Sequence, residues 1–203
     1  MIYYLYGMEM ISKEKLIELS KRYPKDVKLY NQDIMSLMKL PGRIPGDFDQ
    51  QLLDFLKLTN GASILDYRFY GFKNTQFTPS MDQNVQDKWY EWQHIAGTII
   101  PFIGSSSNFG FGYLEKLPFQ GSHPIVYFTD FPEDTTIVGS GFNIFFNIFI
   151  NNVELSLIQG DNIEVDIDDW PFNTEKLCQL DPYFAEIINS SKVVNMIDSI
   201  RRS

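Results

Sequence analysis

Apolar positions first fall at helical spacing after Ser12, where Leu16, Ile17 and Leu19 supply surface, with Leu29 beyond them, and Ser12 is placed to cap the free N–H groups. Tyr23-Pro24 predicts the stop, because the residue before proline disfavours the helical region. Ile34, Leu37 and Met38 predict a short helix from Asp33, ended by Pro41-Gly42. Phe48, Leu52, Phe55 and Leu56 resume the helical period and build one apolar face. Thr59-Asn60-Gly61 is placed to terminate that helix, with Gly61 taking the left-handed angles past its end. A strand is expected at Ala62 to Leu65, with Tyr67, Phe69 and Tyr70 continuing it or pairing with it.

Further along, Val85, Trp89, Trp92 and Ala96 share one face of a helix expected over residues 82–97, stopped by Gly97. Thr98 to Ile103 reads as a buried strand, Gly104-Ser105-Ser106-Ser107-Asn108 as a hairpin turn, and Phe109 to Leu117 as the returning strand. Pro124 to Thr129 is rich in β-branched and aromatic residues and reads as a further strand. Between Phe142 and Val153 the asparagines 143, 147 and 151 recur every fourth residue. A helix would carry them as a narrow polar stripe on a buried rod; a strand would also place them on one face. The helix is the favoured reading. Short helices are expected at 173–179, 182–189 and 191–200.

Composition narrows the class. The chain has 203 residues, 44% of them hydrophobic and 15% aromatic, enough for a sizeable core. The net charge of −9 opposes nucleic-acid binding, which needs clustered Lys and Arg, and favours either simple solubility or a basic partner. Arg201-Arg202 is a small basic cluster at the end of the chain. A single cysteine, Cys178, allows no disulfide within the chain and points to a reducing compartment. The apolar N-terminus lacks the basic region and cleavage site of a signal peptide, and the stretch from Phe142 to Ile150 is too short to span a bilayer. A cytoplasmic protein without membrane attachment is the expectation.

Four segments in this order resemble the SUKH (Smi/Knr-like) superfamily. The first is Ile44-Pro45-Gly46-Asp47-Phe48 with Leu52, Phe55, Leu56, Thr59, Asn60 and Gly61. The second is Ile100-Pro101-Phe102-Ile103-Gly104, and the third runs from His123-Pro124-Ile125 to Asp130. The fourth, Val138 to Ile150, is similar to the family's small-residue turn into an aromatic helix, with Ser140-Gly141-Phe142 where the family has a Ser-Phe step. The turn after Gly104 also lacks the acidic residue often found there. The resemblance covers about residues 40–155 and implies an α+β fold, a curved, mostly antiparallel sheet flanked by helices. Pro45, Phe55, Asn60, Gly61, Gly104, Pro124 and Phe142 are then structural motif positions. Residues 1–155 are read as the SUKH-like domain and 156–203 as an acidic, helical extension packed on it. The resemblance also implies a function: bacterial members are typically immunity proteins that bind and neutralise a toxin, and fungal members act in cell-wall signalling.

Candidate chemistry is sparse. His94 and His123 lie far apart without ligand-like spacing, and Cys178 sits beside Leu177 and Leu180, which suggests a small core residue. No nucleophile elbow, phosphate loop or dinucleotide fingerprint is present, so no cofactor or metal is expected, although abundant Asp and Glu leave a carboxylate pair open. Trp89 and Trp92 suit interface anchoring, but their shared face with Val85 favours core packing. The strongest candidate surface is the acidic run Asp161, Glu164, Asp166, Asp168 and Asp169, ending at Trp170. In an extended conformation Ile163, Val165 and Ile167 would face away from the carboxylates, giving a ridge suited to a basic partner such as a nuclease toxin. The plainer reading is an edge strand charged against aggregation. The expected function is therefore an immunity protein acting by protein–protein binding. A regulatory scaffold of the fungal type and an unrecognised hydrolase or ligand-binding enzyme are the alternatives, the last requiring a pocket that contains carboxylates or a histidine.

Overall fold

The computed structural model describes residues 2–31, 38–76, 78–159 and 173–203. Seven strands form one sheet in which every strand pairs antiparallel with its sequence neighbour: β1 (Val27–Leu29), β2 (Ala62–Ile64), β3 (Tyr67–Phe69), β4 (Ile99–Ser105), β5 (Phe109–Leu114), β6 (Ile125–Thr129) and β7 (Thr136–Gly139). The helices are α1 (Ile2–Arg22), α2 (Gln50–Leu56), α3 (Met81–Glu91), α4 (Phe142–Gln159), α5 (Thr174–Leu180), α6 (Phe184–Ile188) and α7 (Ser191–Arg201). The α+β class implied by the resemblance is what the chain adopts, but the sheet at its centre is an open, uncurled antiparallel meander and not a curved one.

Strand register explains why both faces are covered. Leu29, Ala62, Phe69, Ile103, Phe111 and Tyr127 are successive partners across six strands, so one apolar row crosses most of the sheet. Helix α4 packs on this face. Phe145 meets Phe111 at 5.1 Å, Phe149 meets Phe69 at 5.2 Å, and Phe142 meets Phe102 at 5.4 Å between ring centroids. Neither Phe nor Asn is a strong helix former, so α4 owes its form to this burial rather than to propensity. The opposite row runs Lys28, Ser63, Arg68, Gly104, Gly110 and Phe128. Further along the same face Ile99, Leu114, Val126 and Phe128 bury against Ile95 and the α7 residues Val193, Ile197 and Ile200.

The asparagine stripe of α4 is a contact between helices. Ser12 Oγ donates to Asn147 Oδ1 at 2.7 Å, and Lys15 Nζ donates to Asn151 Oδ1 at 2.8 Å and Glu154 Oε2 at 2.7 Å. Leu16 and Leu19 are buried on the same side of α1. Ser12 therefore lies inside α1, which begins at Ile2, and is not its cap; the expected stop before Pro24 is observed.

Five other expectations need correction. The helix expected over 82–97 ends at Glu91, because Trp92 leaves helical angles (φ −120°, ψ 81°), and a separate 3-10 turn covers Gln93–Ile95. Trp89 Nε1 donates to Ile99 O at 2.7 Å and Trp92 stacks edge-on to Phe128, while Ala96 is exposed, so these residues do not form a single helical stripe. Gly61 has φ +78°, but α2 already ends at Leu56 with Lys57 as its cap. The glycine is needed because a Cβ there would lie 2.3 Å from Phe69 O. Cys178 is exposed; Leu177 is the buried residue of α5. Strand β5 stops at Leu114, and Phe48 lies ahead of α2, which starts at Gln50. Of the short helix expected from Asp33 and ended by Pro41-Gly42, residues 33–37 lie outside the described residues, and Met38 lies in a turn.

Candidate functional site

The residues that carry the resemblance serve several separate contacts, one of them at the N-terminal end of α4. Phe55 of α2 packs on Phe142 at 5.5 Å and Phe146 at 5.1 Å. Asn60 uses its amide as a strand would use a peptide: Nδ2 donates to Lys73 O and Oδ1 accepts from Lys73 N, both at 3.1 Å. Gly104 leaves room for the Tyr70 hydroxyl, which would stand 1.9 Å from a Cβ at that position. Burial, only partly opposed by the Asn84 amide, pushes the Tyr70 hydroxyl up to about 12. Pro124 is buried and its carbonyl accepts from Leu114 N, whereas Pro45 is exposed in the turn that leads to α2.

Two carboxylates with 0% exposure organise this end of the molecule. Asp49 caps α2, its Oδ1 accepting from Leu52 N at 2.9 Å. Its Oδ2 accepts from Ser122 Oγ at 2.6 Å and from His123 Nδ1 at 3.1 Å. Asp181 accepts from Ser140 N and Ser140 Oγ, each at 2.7 Å, and from Tyr183 N at 3.0 Å. The first turn of α4 is capped from outside, Phe142 N donating to Ser122 Oγ and Asn143 N to Gln51 Oε1. Gly141 packs closely beside this junction, where a Cβ would sit 3.0 Å from Ser122 Cβ.

Asp, Ser and His meet here without the order of a nucleophilic triad. The hydroxyl and the imidazole both bond the same carboxylate oxygen, so the serine proton goes to Asp49 and not to a histidine base. Ser122 is buried as well, leaving its Oγ no approach for a substrate. The network ties α2, the segment before β6, and α4 together, and through Asp181 it fastens the C-terminal helices to the same junction. Among the described residues, the buried His123 Nε2 has no hydrogen-bond partner. Its ring lies 5.1 Å from that of Tyr113, whose hydroxyl, kept protonated by burial well above the usual tyrosine range, donates to Asp47 O at 3.2 Å.

His94 is half-buried, and its Nε2–H donates to Thr129 O at 3.1 Å. Partial burial lowers its pKa, opposed by that carbonyl and by the nearby Asp130 and Glu133 carboxylates. A groove of about 220 Å³ runs between β7, α6 and α7, lined by Ile137, Phe184, Ile188, Val193 and Ile197 with Arg201 among them. Neither histidine lines it. Among the described residues, no group of three or more His, Cys, Asp or Glu side chains is placed to hold a metal ion, and no helix is long and apolar enough to cross a membrane.

The acidic run Asp161, Glu164, Asp166, Asp168, Asp169 and Trp170 lies outside the described residues. A different acidic feature stands out among those described. The turn Asp130-Phe131-Pro132-Glu133-Asp134 between β6 and β7 exposes three carboxylates around an exposed phenylalanine. Its signal in the sequence was an aromatic residue inside a short acidic turn, overshadowed by the longer run downstream. No protein-family profile matches the chain, and no curated protein sequence matches it.

Proposed function

We propose that this chain is a SUKH-type immunity protein, which binds a basic toxin protein inside the producing cell and neutralises it without catalysis. In this reading residues 1–155 form the SUKH-like unit, with the meander as its sheet, and residues 156–203 are an extension packed on it. One observation carries the reading: segments far apart in sequence that bear the resemblance pack against one another. Phe55 lies on Phe142, Ile100, Ile103 and Ile125 share their core cluster, and the residue before Pro124 bonds the cap of α2. The net charge of −9 supplies the electrostatic attraction for a basic partner.

Co-expression with the product of the adjacent open reading frame tests the proposal. Protection of the host from that product, together with a stable complex of the two proteins, is the expected result. A toxic neighbour that kills equally with and without this chain, and does not bind it, would overturn the proposal.

A further inference from the structure

The Asp130–Asp134 turn is anchored from several sides. Thr129 Oγ1 accepts from Phe131 N at 2.9 Å and shares its own proton between Phe131 O at 3.1 Å and Asp134 Oδ2 at 3.2 Å. His94 holds Thr129 from the neighbouring 3-10 turn, and Arg201 of α7 donates through Nε to Thr135 O at 2.9 Å. Despite this anchoring Phe131 remains 58% exposed. Asp130, Glu133 and Asp134 are exposed too, and none of them pairs with a cation among the described residues. The fold gains little from a solvated ring among uncompensated negative charges. A binding surface gains twice: the held turn has little conformational freedom left to lose on docking, and an aromatic anchor ringed by carboxylates complements an apolar pocket rimmed by Lys and Arg.

We propose that the Asp130–Asp134 turn is the docking surface for a basic protein partner, with Phe131 as its anchor and Asp130 and Glu133 as its charge contacts. This rests on the reading that the chain works by binding a basic protein, and it names the surface that does so.

The test uses the full chain, Phe131→Ala, the charge reversal Asp130→Lys with Glu133→Lys, and a control reversal of two exposed carboxylates elsewhere, Asp66→Lys with Glu186→Lys. Against the product of the adjacent open reading frame, Phe131→Ala is expected to weaken binding roughly tenfold. The turn reversal is expected to slow association and flatten its salt dependence, with the control reversal close to wild type. Wild-type affinity in both turn variants overturns the docking surface while leaving the proposed function standing. A second arm titrates an octapeptide of alternating lysine and arginine into the isotope-labelled chain and follows amide shifts. The largest shifts are expected at Thr129 to Thr135; shifts centred elsewhere, including on the Asp161–Trp170 run, overturn the surface. If the adjacent product does not bind the wild-type chain, the proposed function fails and the peptide arm alone decides the surface.

Discussion

Replacing Asp49 by alanine tests whether the buried junction holds the fold together. The substitution removes one carboxylate and strands three donors: Leu52 N, Ser122 Oγ and His123 Nδ1. Loss of the helix cap costs about 1 kcal/mol. Each of the other two donors, buried without its acceptor, costs on the order of 1–3 kcal/mol. Relief of the desolvation borne by a fully buried carboxylate returns part of this. The net destabilisation is therefore about 3 kcal/mol, equivalent to a fall in Tm of roughly 6–12 °C for a chain of this size. Urea unfolding followed through the fluorescence of the three tryptophans measures it directly. Ser122→Ala alone leaves Asp49 its other two donors, so combining the substitutions gives a coupling energy of about 1 kcal/mol if the two groups act as a unit. A loss below about 0.5 kcal/mol in Asp49→Ala, or additive effects in the pair, would refute the idea that this network fastens α2 to α4.

Three further outcomes follow from the geometry. Thr135→Val should stabilise the protein by about 1 kcal/mol in thermal or urea unfolding, because Thr135 Oγ1 is buried with no partner among the described residues and valine keeps its shape; the bond from Arg201 goes to the main-chain carbonyl and survives. Gly61→Ala should destabilise by roughly 3 kcal/mol or more, or prevent soluble expression, since φ is +78° and the new Cβ would meet the carbonyl of Phe69 and the amide of Gly71. Burial raises Tyr67 and Tyr70 to about 12 from an ordinary 10.0, so the folded chain retains protons there that the unfolded chain releases. Their contribution to stability is intact below about pH 10 and declines as the pH rises towards 12, which unfolding curves at stepped alkaline pH will show as a progressive loss.

Legibility in the sequence followed the range of the interaction. Helix α4 was readable because Phe142, Phe145, Phe146 and Phe149 bury one side of a rod, and the hairpin at Ser105–Asn108 because its turn chemistry is local. The three C-terminal helices were marked by Asn173, Pro182 and Ser190–Ser191 at their boundaries. Strand β7 was missed: Thr136–Gly139 is four residues long, follows an acidic turn, and is defined by its pairing with β6. The break at Trp92 was hidden because the tryptophan leaves the helix to meet Phe128, 36 residues further along the chain. The junction was illegible for the same reason. Asp49, Ser122, His123, Ser140 and Asp181 carry no shared local pattern; only the folded chain brings them together.

The meander lets each strand find its partner as soon as the next one emerges from the ribosome. Helix α1 has no such convenience. Its bonds from Ser12 and Lys15 reach residues 135 to 139 positions downstream, on α4. At typical rates of synthesis that is a wait of roughly 10–30 s. Throughout it, Leu16 and Leu19 have no α4 to cover them, so a helix made before every strand of the sheet gains this cover only after all seven have been synthesised.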